Sequence, residues 1–174
     1  CLSVLTDKKY FQGDDKFLTE ASNTVALPVL RKDFIIDPYQ VVESRAIGAD
    51  CVLIILAAVD DTLASELMQV STQWEMDVLV EIHDEKELER AEKLGAKLLG
   101  INNRDLKSLK IDLNTTKRLS RLASPDVDLV SESGLYSSSD LNRMRDYGVN
   151  RFLVGTSLMR KNDVANATSS LLNN

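Results

Sequence analysis

Along the chain, short continuous apolar runs alternate with longer stretches whose apolar residues recur three or four positions apart. The runs are rich in Val, Leu and Ile. Runs of this kind suit strands covered on both faces, and the spaced stretches suit amphipathic helices. The pattern predicts strands near 2–6, 28–32, 51–56, 78–82, 97–101, 128–132 and 151–154. Helices are expected at 14–24, 38–48, 60–75, 84–94, 113–123, 138–147 and 162–172. Asp37-Pro38 and Ser138 to Asp140 read as helix starts.

Three stretches resemble one another: IGADCVLII (47–55), LGAKLLGIN (94–102) and YGVNRFLVG (147–155). Each has an apolar residue, Gly, a small apolar residue, a polar residue and then a strand. Glycine takes the left-handed conformation that ends a helix, and the chain then enters a buried strand. Strand–helix alternation at roughly 25 residues per unit points to an α/β fold with a parallel sheet and helices outside it. An open doubly wound sheet and an eight-stranded TIM (β/α)8 barrel both satisfy this. No G-x-G-x-x-G or Walker A motif is present, which weakens the nucleotide-binding alternative. Seven units are one short of a barrel, and the start inside CLSVLT points to the first as the missing one. The expectation is a single barrel domain over residues 1–174, lacking its first β/α unit.

Composition narrows the function. The 174 residues carry a formal net charge of -6, unsuited to nonspecific binding of nucleic acid. The longest apolar run, Cys51 to Val59, is too short to span a bilayer. Cys1 and Cys51 both lie in apolar runs and are expected as reduced, buried thiols of a cytoplasmic protein. No metal-ligand spacing links them to the single histidine, His83, so no metal is expected.

Barrel active sites form at the carboxyl ends of strands. The polar residues at those ends are Lys32, Glu81, Asn102 with Arg104, Ser131 to Ser133, and Gly155 with Thr156. Plainer readings compete. Lys32 can be a surface lysine paired with Asp33, Asn102 to Asp105 ordinary turn chemistry, and Ser133-Gly134 a simple turn. His83 reads as a loop residue, and Trp74 and the tyrosines as packing residues. Asp84 with Glu87 three residues later is the better cap for the next helix, which leaves Glu81 inside its strand. SESGL and VGTSL follow the last two strands, where glycines and free N–H groups cradle a phosphate. The ligand expected is a phosphorylated small molecule.

With these residues in place the chain resembles the indole-3-glycerol phosphate synthase family. The resemblance rests on SVLT with YF and G shortly after, VLRKDFIIDPYQ, ADCVLII, LVEIHDE, GINNRDLKSLKIDLNTT, VSESGLYS and FLVGTSLMR, from Ser3 to about Arg160. It implies the (β/α)8 barrel and a cofactor-free decarboxylating ring closure. The substrate implied is 1-(2-carboxyphenylamino)-1-deoxyribulose 5-phosphate, which loses CO₂ and water to give the indole. Lys32 matches the general acid of the KDF motif. Glu81 matches the glutamate that stabilises developing positive charge. Asn102 and Arg104 match orienting residues. Ser133, Gly134, Gly155 and Thr156 match the phosphate end, and Phe34, Leu53 and Leu106 the apolar walls around the anthranilate ring.

One motif of the family is missing. Its first strand carries a glutamate and a lysine in a pattern like E-x-K-x-x-S-P-S, which these residues lack. The chain alone is therefore expected to be inactive as a synthase, a noncatalytic phosphate-ester-binding fragment being the alternative. A third reading, a sugar-phosphate isomerase barrel, fits the KDF–EIH–NNRD set less well. A barrel short of one strand has two unpaired edges, so self-association through them is expected.

Overall fold

The computed structural model describes residues 1–172. In chain order it has β1 (Leu2–Leu5), α1 (Asp15–Thr24), β2 (Val29–Lys32), α2 (Pro38–Ala46) and β3 (Cys51–Ile55). A short 3₁₀ turn at Leu56–Ala58 leads to α3 (Asp61–Gln73), β4 (Asp77–Ile82) and α4 (Glu85–Lys93). Then come β5 (Leu98–Asn102), α5 (Asn114–Leu119), β6 (Asp128–Glu132), α6 (Ser138–Arg145) and β7 (Arg151–Leu153). Two helices, α7 (Thr156–Met159) and α8 (Val164–Leu172), close the order. The chain divides into two compact units, residues 1–81 with 90–96, and residues 82–89 with the segment from Lys97 onward.

In the first unit β1, β2, β3 and β4 pair in sequence order, all parallel. In the second, β5, β6 and β7 do the same. β3 is buried at all five positions, because its alternate side chains face the helix layer and the opposite face of the sheet. The core of the first unit includes Leu18, Val29, Val41, Leu53, Ile54 and Leu67. That of the second gathers Leu135, Leu141, Met144, Val149 and Leu171, with Leu129, Phe152 and Leu158 packed against them.

The repeated glycine pattern has one structural meaning. Gly48, Gly95 and Gly148 have φ of 103°, 74° and 84°. The residue after each donates its N–H back to the helix, Ala49 to Ser44 O at 2.9 Å, Ala96 to Ala91 O at 3.1 Å and Val149 to Met144 O at 3.1 Å. These are Schellman caps, and each buries the small apolar residue that follows its glycine.

Helix starts follow the sequence closely. Asp37 accepts from Tyr39 N, with Pro38 at the first helical position. Ser137, one residue earlier than expected, caps α6 and forms a capping box with Asp140. Asp84 accepts from Glu87 N at 2.9 Å, and Glu87 Oε2 accepts from His83 N at 2.7 Å.

Several expectations need correction. Helix α5 spans six residues rather than 113–123, because the chain leaves the helix through turns at 120–123. Cys1 is exposed, since it precedes β1 rather than entering the core, whereas Cys51 is buried within β3. Trp74 sits at the end of α3 and is 46% exposed, and Tyr10, Tyr39 and Tyr136 are more exposed still, so these four are not core packing residues, whereas Tyr147 packs against the core of the second unit as expected. No helix among the described residues is long and apolar enough to cross a membrane.

Candidate functional site

In the first unit, the pairing register decides which side chains share a face. Leu5 is level with Lys32, Leu53 with Leu79, and Ile55 with Glu81. Arg31 is level with Val52, which puts Lys32 in line with Leu53. Residues level with one another, or two apart on one strand, lie on the same face. Lys32, Leu53 and Glu81 therefore share one face. Arg31, the residue before Lys32, turns to the other, where it meets α1 and α2.

Lys32 and Glu81 meet. Lys32 Nζ donates to Glu81 Oε2 at 3.4 Å, with the lysine side chain 16% exposed and the glutamate 2%. A carboxylate this buried is expensive unless it faces a cation or a proton donor. Lys32 Nζ also lies 5.9 Å from the centre of the Phe11 ring. Phe11 stacks on Phe34 at 5.1 Å, and Tyr10 meets Phe34 edge-on at 5.4 Å. A flat, apolar and partly exposed surface thus adjoins an ammonium and a carboxylate. Leu53, on the same face of the sheet as Lys32 and Glu81, is fully buried.

The loop carrying Tyr10 and Phe11 is held from both sides. Gly13 N donates to Asp7 O at 2.8 Å, and Asp14 N to Leu5 O at 3.3 Å. A Cβ on Gly13 would fall on the Leu5 carbonyl, so only glycine allows this approach.

The surface pairing of Lys32 with Asp33 does not occur, because Asp33 is 7% exposed. Asp33 Oδ2 accepts from Thr6 Oγ1 at 2.6 Å and lies 3.2 Å from Arg31 Nη2. Arg31, 3% exposed, also reaches Asp15, Glu43 and Ser44.

In the second unit, Asn102 ends β5 and is 8% exposed. Its Oδ1 accepts from Arg104 N at 3.0 Å, which turns the chain at the strand end. Arg104 is half-buried and donates from Nη1 to Leu109 O at 3.3 Å. Leu106 is 41% exposed in the following loop. Glu132 is level with Asn102 across the β5–β6 pair and 1% exposed.

Ser133 and Gly134 both have positive φ, 65° and 79°. For Ser133 this conformation is costly and needs support. Asn103 supplies it. Its Nδ2 donates to Ser131 Oγ, Glu132 O and Ser133 O at 3.1, 2.9 and 3.1 Å. Its Oδ1 accepts from Thr116 N and Oγ1 at 3.1 and 2.8 Å. Gly155 and Thr156 are exposed at the start of α7. A Cβ on Gly155 would meet nothing within 4 Å, so packing does not demand glycine there.

Sequence reasoning missed several features. Phe11 and Tyr10 were visible only as the YF after SVLT. Glu132 was hidden in the SES run, although it ends its strand with a carboxylate as buried as that of Glu81, the last residue but one of β4. The roles of Thr6, Arg31 and Asp33 needed contacts across 25 and 27 residues, which no local pattern reveals.

Comparison with known proteins adds to this geometry. The sequence matches the family described as indole-3-glycerol phosphate synthase over residues 1–171. It is 56% identical over 172 residues to the indole-3-glycerol phosphate synthase of Azospirillum brasilense, covering 99% of this chain and 66% of that protein. With the Rhodospirillum rubrum protein of the same name it is 53% identical over 173 residues, covering 99% and 66%. The chain thus spans just under two thirds of the length of these relatives. Among solved structures it is similar to 3-hexulose-6-phosphate synthase from Salmonella typhimurium, with TM-score 0.81, 13% identity and 98% and 84% of the two chains covered. A structure titled Native KDPGal matches with TM-score 0.66 and 15% identity, over 97% and 76% of the chains. At such identities the likeness is one of fold, a TIM-like α/β architecture.

Proposed function

The chain belongs to the indole-3-glycerol phosphate synthase family, and on that premise we propose that the protein carrying it is a cytoplasmic carboxy-lyase of tryptophan biosynthesis. It closes the ring of 1-(2-carboxyphenylamino)-1-deoxyribulose 5-phosphate. A carbon–carbon bond forms between the anthranilate ring and the ketone carbon of the chain. The carboxylate then leaves as CO₂, and the former carbonyl oxygen as water. The whole protein would be a (β/α)8 barrel whose first β/α unit lies outside these 174 residues. Without that unit's Glu and Lys, this chain alone would not turn over substrate. Its unpaired strand edges would make it self-associate, which sedimentation velocity would reveal.

The observation that carries this reading is the Lys32–Glu81 pair, 3.4 Å apart at the ends of β2 and β4. Attack on a ketone builds negative charge on its oxygen, and an ammonium at a strand end can deliver a proton there. The ring, having given up its electrons, becomes cationic, and a buried carboxylate stabilises it. Asn102 and Arg104 would orient the substrate. Phe34, Leu53 and Leu106 would wall the anthranilate ring. Ser133, Gly134, Gly155 and Thr156 would hold the phosphate, Gly155 because the absence of a Cβ lets an anion approach the backbone.

The test is an indole-glycerol-phosphate fluorescence assay of the intact gene product and its Lys32→Ala variant. Turnover by the first and a loss of about 10²-fold or more in the second is the expected result. No turnover by the intact protein, or full turnover by the variant, overturns the reading. Binding of a phosphate ester without turnover would instead identify a noncatalytic binding protein.

A further inference from the structure

Lys32 stands between two residues that are tied down on the opposite side of the sheet. Arg31 is inserted between α1 and α2, where Asp15, Glu43 and Ser44 receive its guanidinium. Asp33 is buried, and its Oδ1 accepts from Phe34 N at 2.8 Å while its Oδ2 accepts from Thr6 Oγ1 at 2.6 Å. Thr6 is the hub. Its hydroxyl donates to Asp33 and accepts from Arg31 Nε at 3.0 Å, and its N–H donates to Lys32 O at 3.2 Å. Thr6 is 4% exposed and touches both neighbours of Lys32 as well as Lys32's own carbonyl.

We propose that Thr6 and Asp33 are positioning residues for Lys32, fixing the backbone at the end of β2 so that the ammonium is held beside Glu81. The inference rests on the reading of Lys32 given above. A lysine side chain has four rotatable bonds and costs up to about 2 kcal/mol to immobilise, so precision must come from its base and its partner. Glu81 supplies the partner. The Thr6–Asp33 hydrogen bond fixes the base, because β1 and the turn after Lys32 then move as one piece. The contribution belongs to the transition state, where the proton is delivered, rather than to substrate binding.

Steady-state kinetics and thermal midpoints of Thr6→Val and Thr6→Ser in the intact gene product, beside the parent protein and Lys32→Ala, test this. Valine keeps the shape of threonine and removes its hydroxyl, whereas serine keeps the hydroxyl. The expected result is a kcat lowered about 10- to 100-fold in Thr6→Val with little change in KM, and a kcat largely restored in Thr6→Ser. A merely structural role would lower the thermal midpoint and the active fraction without this rescue. Parental kcat in Thr6→Val, or equal impairment in both variants, overturns the inference. Should Thr6→Val not fold, Asp33→Asn takes its place, and parental kcat there overturns it equally. An inactive parent protein overturns the reading of function itself. An active parent with an inactive Lys32→Ala variant and an unaffected Thr6→Val variant overturns only the positioning role.

Discussion

Lys32 and Glu81 are 49 residues apart in the chain, yet the ammonium of one lies 3.4 Å from the carboxylate of the other. Two parallel pairings bring them together. β2 pairs with β3 and β3 with β4, and the register puts both side chains on the face turned away from the helices. An ion pair in so dry a place is a weak source of stability, because desolvation offsets much of its Coulomb attraction.

The first prediction follows from that pair. Glu81→Gln keeps the size of the side chain and removes its charge. In the intact gene product its kcat is expected to fall by about 10² to 10⁴, with KM less affected. Steady-state fluorescence kinetics would measure this, and an unchanged kcat would exclude Glu81 from the chemistry.

Thiol chemistry separates the two cysteines. Burial pushes the Cys51 thiol up to about 12, from an ordinary value of 9.0. Thiolate is the reactive form. A thiol reagent at pH 8 should therefore label the exposed Cys1 at once and Cys51 only on unfolding, and prompt labelling of two thiols in the native protein would contradict this. Linkage fixes the sign with pH. Between pH 9 and 12 the unfolded thiol has lost its proton and the folded one has not, so this group lowers stability as pH rises through that window. Below pH 9 it contributes no slope.

Asn103 is predicted to be the most sensitive polar position of the second unit. It is 2% exposed and joins the ends of β5 and β6 to Thr116 of α5. Asn103→Ala leaves buried groups without this partner and releases the left-handed Ser133. A loss of about 2–4 kcal/mol is expected, readable as a lowered urea midpoint.

The helix-ending glycines give a graded test. Alanine at Gly48 meets two obstacles, a φ of 103° and a Cβ only 2.8 Å from Ser22 Oγ. At Gly95 it meets only the φ of 74°, in open space. Gly95→Ala is expected to cost about 1 kcal/mol and Gly48→Ala more. Thermal melts of the two variants would rank them, and the reverse order would show that steric room is not what separates them.

Much of the architecture was legible in the sequence because it is written in local terms. The glycine before each buried strand, Asp37-Pro38 and Asp84 with Glu87 are read from a few adjacent residues, and the structure places each of them where a helix begins or ends. Lys32 and Glu81 stood out for a similarly local reason, a charge at the end of an apolar run. Where helices stop by fraying rather than at a glycine, as α5 does, the local signal is weak and the expected length was too great.

The alternation of strand and helix, the helix ends and the polar groups at strand ends are all written in the order of the residues. Period, cap chemistry and backbone preference all act within a few residues. The partners of those groups, and the face on which each stands, are set only when the strands pair. Nothing local distinguishes Arg31, bound among the helices, from Lys32, turned the other way. Nor does it tell that Asp33 belongs to Thr6 and Arg31 rather than to the lysine beside it. Strand alternation sends neighbours to opposite faces, and strand register brings together residues that are far apart in the chain.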